Sequence, residues 1–118
     1  MKPKVYQYAK CSTCRKALAF LDELRVHYQA VDIVEHPPSK QELKEVLRRS
    51  GLPLRKLFNT SGKSYLEGNF GERLAQLSEA EALAALAADG KLVKRPLVLG
   101  PDYALVGFDE QAYRERFQ

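Results

Sequence analysis

The sequence contains two cysteines, Cys11 and Cys14, separated by two residues. A Cys-x-x-Cys pair near a β-α-β pattern is typical of a thiol–disulfide redox site in a cytosolic protein. A thiolate attacks a disulfide, and a second thiol one helical turn away can displace the product by closing an intramolecular disulfide. The spacing therefore predicts a redox pair in which Cys11 is the nucleophile and Cys14 the resolving cysteine.

The residues around this pair predict a strand, a turn and a helix. Residues 4–8 alternate in the manner of a strand, and apolar residues recur at helical spacing over residues 14–25. Ser12 or Thr13 is the expected N-cap of that helix. Cys11 then lies just before the helix, where free backbone N–H groups and the positive end of the helix dipole face its sulfur.

Basic residues next to the pair add to this effect. Lys10 precedes Cys11, and Arg15 and Lys16 follow Cys14. Positive charge and helix-terminal N–H groups both favour the thiolate over the thiol. We therefore expect Lys10 and Arg15 to stabilise the thiolate and the pKa of Cys11 to be lowered.

A cysteine pair could also bind a metal or be chemically inert. Structural zinc usually takes four ligands. His27 and His36 are the only histidines, and neither has a recognised ligand spacing with the cysteines, so we expect no metal. Both cysteines could also be inert, but the strand-turn-helix context favours a reactive pair.

The middle of the chain predicts a second strand followed by helices. Residues 28–34 form a short β-prone run. Ser39 and Ser78 each begin a Ser-x-x-Glu capping box, and the second opens an alanine-rich helix. Residues 68–71 are expected to be a loop. Residues 39–90 are therefore predicted to be mainly helical.

The last part of the chain predicts a hairpin and a final helix. Leu97–Leu99 and residues 103–106 flank a Gly-Pro-Asp turn. Asp109 is the expected cap of the last helix, with Phe108 and Tyr113 at the positions of a hydrophobic staple. The complete order is β-α-β, a helical insert, then β-β-α. This predicts an α/β thioredoxin-like fold with a mixed sheet, as a single domain over residues 1–118 with an insert at about 39–90.

Composition and charge limit the cellular compartments and the classes of binding partner that we expect. Hydrophobic residues make up 45% and charged residues 29%, as in ordinary globular proteins, and the net charge is +4. No apolar run approaches the ~20 residues that span a bilayer, and the first residues do not resemble a signal peptide. We therefore expect a cytoplasmic protein with no membrane partner, and a monomer. Because the basic residues are dispersed, we expect no direct nucleic-acid partner.

Four segments together resemble the arsenate reductase-like family. They are Cys11-Ser-Thr-Cys-Arg-Lys-Ala17 after a strand, Pro37-Pro38-Ser39 before a helix, Arg95-Pro96-Leu97-Val98 before a hairpin, and Val106-Gly107-Phe108 before the last helix. The similarity runs nearly end to end. The family includes glutaredoxin-dependent arsenate reductases and Spx-type regulators, and its fold is thioredoxin-like with a helical insert.

The resemblance implies roles for particular residues. Cys11 matches the catalytic cysteine, and Arg95 matches an arginine that faces this cysteine and binds oxyanions. Pro96 matches the proline that is cis in thioredoxin-like folds and, with Ser12 and Thr13, is expected to form the wall of the site.

The departures from the family pattern favour a disulfide substrate over arsenate. Arsenate reductases of this family use two further arginines, and here Asn59 and the pair Val106-Gly107 hold those places. Each charge-assisted contact to an oxyanion is worth about 1.5–3 kcal/mol, so their loss weakens arsenate binding. Such reductases also usually have a single cysteine in this loop, whereas this chain has Cys14.

Three functions therefore remain open. The first is a thiol–disulfide oxidoreductase that needs no bound cofactor but an external reductant, such as glutaredoxin, thioredoxin or glutathione. The second is a redox-sensing regulator that binds the RNA polymerase α subunit. Such regulators have an extra C-terminal segment that we expect to be absent here, so the regulator is ranked below the oxidoreductase. The third is an arsenate reductase that takes a small oxyanion.

Overall fold

A computed structural model describes residues 2–118 and contains a four-stranded mixed sheet. The strands are β1 (Lys4–Gln7), β2 (Gln29–Asp32), β3 (Leu97–Leu99) and β4 (Ala104–Val106). Their order across the sheet is β2-β1-β3-β4. β1 pairs in parallel with β2, while β3 pairs antiparallel with both β1 and β4.

Six α-helices accompany these strands in the described part of the chain. They are α1 (Ser12–Glu23), α2 (Lys40–Ser50), α3 (Lys63–Glu67), α4 (Phe70–Arg73), α5 (Glu79–Ala88) and α6 (Glu110–Phe117), with 3₁₀ turns at Leu54–Leu57, Leu74–Gln76 and Gly90–Leu92. Along the chain, the helices α2 to α5 and the three 3₁₀ turns lie between β2 and β3 and form the helical insert. The predicted α/β class, with its β-α-β and β-β-α halves, is confirmed.

The sheet separates two apolar clusters because side chains alternate along each strand. Val5 and its antiparallel partner Val98 face α1 and α6, in a cluster that includes Tyr113. The next pair, Tyr6 and Leu97, belongs to the other cluster, which is filled by residues of the helical insert. The insert therefore shares its core with the sheet.

A set of hydrogen bonds at one end of the insert and a close backbone approach at the other fix the insert in place. Glu42 completes the capping box with Ser39 and also accepts hydrogen bonds from the Lys4 ammonium and the Tyr6 hydroxyl, each at 2.8 Å. At the other end, a Cβ atom on Gly90 would lie 1.9 Å from the carbonyl oxygen of Ile33. Only glycine permits this close approach between the end of the insert and the segment after β2.

Two local expectations are wrong, and each has a physical reason. The N-cap of α1 is Cys11 rather than Ser12 or Thr13, because the Cys11 sulfur accepts the backbone N–H of Cys14, the third residue of the helix. The predicted loop at 68–71 is in part helical, since α4 begins at Phe70. The buried Phe70 ring packs on Phe58 and Tyr65 with centroids 5.7 and 6.2 Å away, which the local turn residues did not reveal.

Because the insert and the sheet share a core, substitutions in the insert should change the free energy of unfolding of the whole fold. Leu86 of α5 is fully buried, whereas Leu66 of α3 is 67% exposed. We expect Leu86→Ala to lower the free energy of unfolding by about 3 kcal/mol and Leu66→Ala by about 0.5 kcal/mol or less. Urea unfolding followed by circular dichroism measures both, and one transition is expected because insert and sheet share a cluster. Two separate transitions, or equal effects of both substitutions, would contradict this arrangement.

Candidate active site

Cys11 lies at the carboxyl end of β1, where the chain turns into α1. Its backbone N–H donates to the carbonyl oxygen of Tyr8 at 3.0 Å, which closes the turn. The backbone of Cys11 is extended, with φ −99° and ψ 111°, as an N-cap requires. Its Sγ accepts a hydrogen bond from the backbone N–H of Cys14 at 3.2 Å. The sulfur therefore occupies the place where a serine or aspartate oxygen normally caps a helix.

The position of α1 is fixed by its buried face. Cys14, Ala17 and Leu21 are fully buried, and Phe20 is nearly so. Ala17, Phe20 and Leu21 share a cluster with Val5 of β1. This packing holds the N-terminus of the helix at the end of the strand, so the Cys14 N–H stays directed at the Cys11 sulfur.

The environment of Cys11 favours its thiolate. Partial burial raises the pKa of the Cys11 thiol, but hydrogen bonds from Cys14 and the nearby Arg95 guanidinium outweigh burial and hold the pKa below its ordinary value. Cys11 is also half-buried rather than sealed, so a substrate can reach it. A thiolate that is both stabilised and accessible is the species that attacks disulfides.

Cys14 has the opposite character. Burial, together with the hydrogen bond and the negative charge of Cys11, raises its pKa to about 12. Cys14 is therefore a protonated thiol at neutral pH, and of the two thiols Cys11 is the one whose ionisation is favoured. Both cysteines are free. When Cys11 becomes part of a mixed disulfide, its charge disappears and one cause of the raised Cys14 pKa is removed.

Arg95 acts on the Cys11 sulfur from a segment that it shares with Pro96, called the Arg95 wall below. The peptide bond between them is cis, as the resemblance implied, and Pro96 is buried. The Arg95 guanidinium lies 5.4 Å from the ring centroid of Tyr8 and donates weakly to the carbonyl oxygen of Lys91 at 3.4 Å. Its buried Nε has no hydrogen-bond partner among residues 2–118. Arg95 therefore keeps a free donor beside the sulfur that it stabilises.

A short relay of hydrogen bonds supports this wall from behind. The backbone N–H of Gly107 donates to the carbonyl oxygen of Pro96 at 2.8 Å. The Tyr113 hydroxyl donates to the carbonyl oxygen of Gly107 at 2.9 Å. Gly107 has φ +80°, a conformation that glycine adopts without strain. The buried face of α6 thus positions the segment that carries Arg95.

The structure brings only some of the sequence-predicted residues together around the sulfur. Ser12 and Thr13 are exposed in the first turn of α1. Arg15 donates to the carbonyl oxygen of Ala9 at 2.9 Å, and the groups that act on the Cys11 thiol are Cys14 and Arg95. Stabilisation of the thiolate by Lys10 and Arg15 stays a prediction.

Sequence reasoning missed two residues that shape the site, Tyr8 and Tyr113. Tyr8 receives the Cys11 N–H and lies beneath Arg95. Its place at the end of the first predicted strand was the available signal. Tyr113 was recognised only as a staple, and its ring does lie 4.9 Å from Phe108. Its hydroxyl bond to Gly107 depends on tertiary contacts that no local pattern contains.

A family model described as the ArsC family matches residues 6–116. The chain belongs to the ArsC family. The uncharacterized protein YusI of Bacillus subtilis (strain 168) is 47% identical over 112 residues, covering 95% of each chain. An arsenate reductase from Vibrio cholerae has a solved structure that is 32% identical with a TM-score of 0.85, covering 98% of this chain and 97% of that one.

Regulators also occur among the relatives of this ArsC family chain. The global transcriptional regulator Spx 2 of Bacillus cereus is 28% identical over 111 residues, which is 94% of this chain and 83% of that protein. The predicted family and the thioredoxin-like fold of its members are thus confirmed. The relatives include both arsenate reductases and regulators, so membership alone does not separate these functions.

The site predicts that Arg95 controls the acidity of Cys11. Because the Arg95 guanidinium lowers the pKa of Cys11, Arg95→Gln should raise that pKa and reduce the thiolate fraction at neutral pH. The rate of alkylation of Cys11, measured against pH in a Cys14→Ser background, should show its midpoint at higher pH than with Arg95 intact.

Lys10→Gln is the matched control, because it removes one positive charge beside Cys11 without touching the Arg95 wall. We expect a smaller shift of the alkylation midpoint than with Arg95→Gln. An unchanged midpoint in the Arg95 variant, or a larger shift in the Lys10 variant, would show that the wall does not set the acidity of Cys11.

Proposed function

We propose that the protein is a thiol–disulfide oxidoreductase in which Cys11 is the nucleophile and Cys14 the resolving cysteine. The observation that carries the proposal is the contrast between the two thiols. The accessible Cys11 sulfur caps α1 and has a lowered pKa, while the buried Cys14 has its pKa raised to about 12. This contrast separates an attacking group from one that acts later.

The first step follows from the geometry of the turn. The Cys11 thiolate attacks one sulfur of a substrate disulfide and releases the other half as a thiolate, which leaves a mixed disulfide on the protein. The negative charge moves from Cys11 to the leaving sulfur. Arg95, whose guanidinium acts on Cys11, is suited to stabilise charge at the reacting sulfurs.

The second step uses Cys14. The backbone nitrogen of Cys14 already lies 3.2 Å from the Cys11 sulfur. The Cys14 side chain therefore starts from a residue that contacts the atom it has to attack. After deprotonation, Cys14 attacks the Cys11 sulfur, releases the remaining half of the substrate and closes the Cys11–Cys14 disulfide. An external thiol reductant, either a redox protein or a small thiol, must then return the pair to the dithiol.

Arsenate reduction is the second candidate, favoured by one specific observation. The unpartnered Nε of Arg95 offers a buried donor beside Cys11, and an oxyanion could accept it. The resemblance places Asn59 and the pair Val106-Gly107 where the arsenate reductases have further oxyanion-binding arginines, so we expect slow turnover. Turnover of arsenate is measured with glutaredoxin and with thioredoxin as reductant. If the rates with arsenate match those with a disulfide, arsenate reduction becomes the first candidate function.

The relationship to Spx 2 leaves a regulatory role as a third possibility. Such a role would use the same pair as a sensor rather than as a catalyst. Binding to the C-terminal domain of the RNA polymerase α subunit, compared between reduced and oxidised protein, tests it. Absence of binding in both states removes this possibility.

Cys14→Ser should trap the intermediate that the mechanism requires. With a small disulfide as probe, this variant should accumulate a mixed disulfide on Cys11, because no second thiol can resolve it. The unchanged protein should instead pass to the intramolecular disulfide. Intact-protein mass spectrometry distinguishes the two by the mass of the attached half.

Cys11→Ser is the matched control, since it retains the buried thiol and removes the attacking one. We expect no adduct on Cys14 in this variant, because that thiol is fully buried with a raised pKa. If Cys14→Ser forms no adduct although alkylation shows that Cys11 is accessible, the oxidoreductase proposal fails.

A further inference from the structure

Tyr8 follows β1 directly and contacts three parts of the redox site. Its carbonyl oxygen accepts the backbone N–H of Cys11 at 3.0 Å. A backbone hydrogen bond from Tyr8 opposes the raised pKa of the Cys14 thiol. Its ring centroid lies 5.4 Å from the guanidinium carbon of Arg95. Tyr8 therefore joins the two cysteines to the segment that carries Arg95.

The Arg95 guanidinium has few other contacts that could keep it in place. Within residues 2–118, no acidic side chain forms an ion pair with it. Its hydrogen bond to the carbonyl oxygen of Lys91 is long, at 3.4 Å, and its buried Nε has no partner in this part of the chain. Holding a long side chain in one rotamer costs conformational entropy. A further contact must therefore favour the rotamer in which the guanidinium lies beside Cys11.

The Tyr8 ring supplies such a contact. A guanidinium within about 6 Å of an aromatic ring centroid is attracted by the negative face of the ring. The N–H groups of an arginine lie in the plane of the guanidinium, so an arginine that stacks on a ring can still donate hydrogen bonds to other groups. Arg95 can therefore stack on Tyr8 and act on the Cys11 sulfur in the same conformation.

The Tyr8 ring is itself held by the apolar cluster that the helical insert fills. Tyr8 is half-buried and packs against this cluster, which includes Tyr6 and Leu97. The buried face of α1, whose N-terminus Cys11 caps, belongs to the cluster on the other face of the sheet. The ring therefore has an anchor that does not depend on the packing of α1, and it can place Arg95 relative to Cys11.

We propose that Tyr8 is a positioning residue of the redox site, whose ring holds the Arg95 guanidinium beside Cys11 and so maintains the reactive form of that sulfur. The inference rests on the proposed oxidoreductase function and adds a residue that acts through Arg95. Tyr8 makes and breaks no bond in the reaction. Because the guanidinium lowers the pKa of Cys11, losing the ring reduces the fraction of Cys11 that is thiolate at neutral pH.

The first experiment removes the ring and measures the alkylation of Cys11 by iodoacetamide against pH, in a Cys14→Ser background. Tyr8→Leu keeps an apolar side chain against the insert but has no ring on which Arg95 can stack. We expect it to slow alkylation about two- to fivefold at pH values below the midpoint and to move the midpoint to higher pH. At pH values well above the midpoint, where every Cys11 is a thiolate, the rates should converge.

Two further variants show whether the ring at this position is responsible. Tyr8→Phe retains the ring without the hydroxyl, so it should restore most of the alkylation rate that Tyr8→Leu loses. Tyr28→Leu is the matched control, because it removes a half-buried ring that contacts the other end of α1 through Asp22. An equal loss in Tyr8→Phe or in Tyr28→Leu would overturn the proposal.

A double substitution separates the positioning of Arg95 from the packing of the ring. If Tyr8 acts through Arg95, Tyr8→Leu should have no further effect on the alkylation midpoint once Arg95→Gln has removed the guanidinium. A ring that only packs against the insert would change the midpoint equally with and without Arg95, and that result would reject the positioning role.

The unchanged protein also tests the contact, so the proposal does not depend on the stability of a variant. An aromatic ring moves the NMR signals of protons above its face upfield. The side-chain proton signals of Arg95 should therefore lie upfield of those of Arg48, whose side chain is exposed. Arg95 signals at the positions of the Arg48 signals would mean that the guanidinium does not rest on the ring, and the proposal would fail.

Reaction with a small disulfide separates failure of this inference from failure of the proposed function. In the Cys14→Ser background, Tyr8→Leu should slow mixed-disulfide formation with hydroxyethyl disulfide in parallel with alkylation. If alkylation changes as expected but no variant reacts with the disulfide, Tyr8 keeps its positioning role and the oxidoreductase proposal fails. If the disulfide reacts and Tyr8→Leu changes neither rate, the oxidoreductase proposal stands and the role of Tyr8 is rejected.

Discussion

The cap of α1 by a cysteine sulfur is the interaction on which the rest of the site depends. A helix begins with backbone N–H groups that need an acceptor, and here the Cys11 Sγ supplies one at 3.2 Å. A negative sulfur is a better acceptor than a neutral one, so the helix that the thiol caps also favours its ionisation. The hydrogen bond from the Cys14 N–H to the Cys11 sulfur therefore both caps the helix and favours the thiolate.

That hydrogen bond is maintained by packing on both faces of the sheet. On one face, α1 buries Ala17, Phe20 and Leu21 against β1 and β3. On the other face, the insert fills a separate cluster and returns at Gly90, where no side chain fits. The Arg95–Pro96 segment leaves the insert immediately after this point. Two separate apolar clusters thus bring Cys11 and Arg95 to the same end of the central strands β1 and β3.

The two thiols acquire different properties because they differ in burial and in partners. Cys11 is half-buried and receives favourable contacts from Cys14 and Arg95. Cys14 is fully buried, and the charge of its neighbour opposes its ionisation. Such an asymmetry suits a sequence of attack and resolution.

The sequence by itself determined most of the elements and the position of the cysteine pair at the start of a helix. Hydrophobic periodicity, the capping boxes at Ser39 and Ser78 and the Cys-x-x-Cys spacing are local signals, and α2, α5 and the helix start at the cysteines follow from them. Tertiary structure decided what local patterns do not encode. The approach of Arg95 to Cys11, the Tyr113–Gly107–Pro96 relay and the pairing of Phe58 with Val93 join residues far apart in the chain. Local spacing specifies which face a side chain takes, but only the packed sheet and insert specify which distant groups meet it.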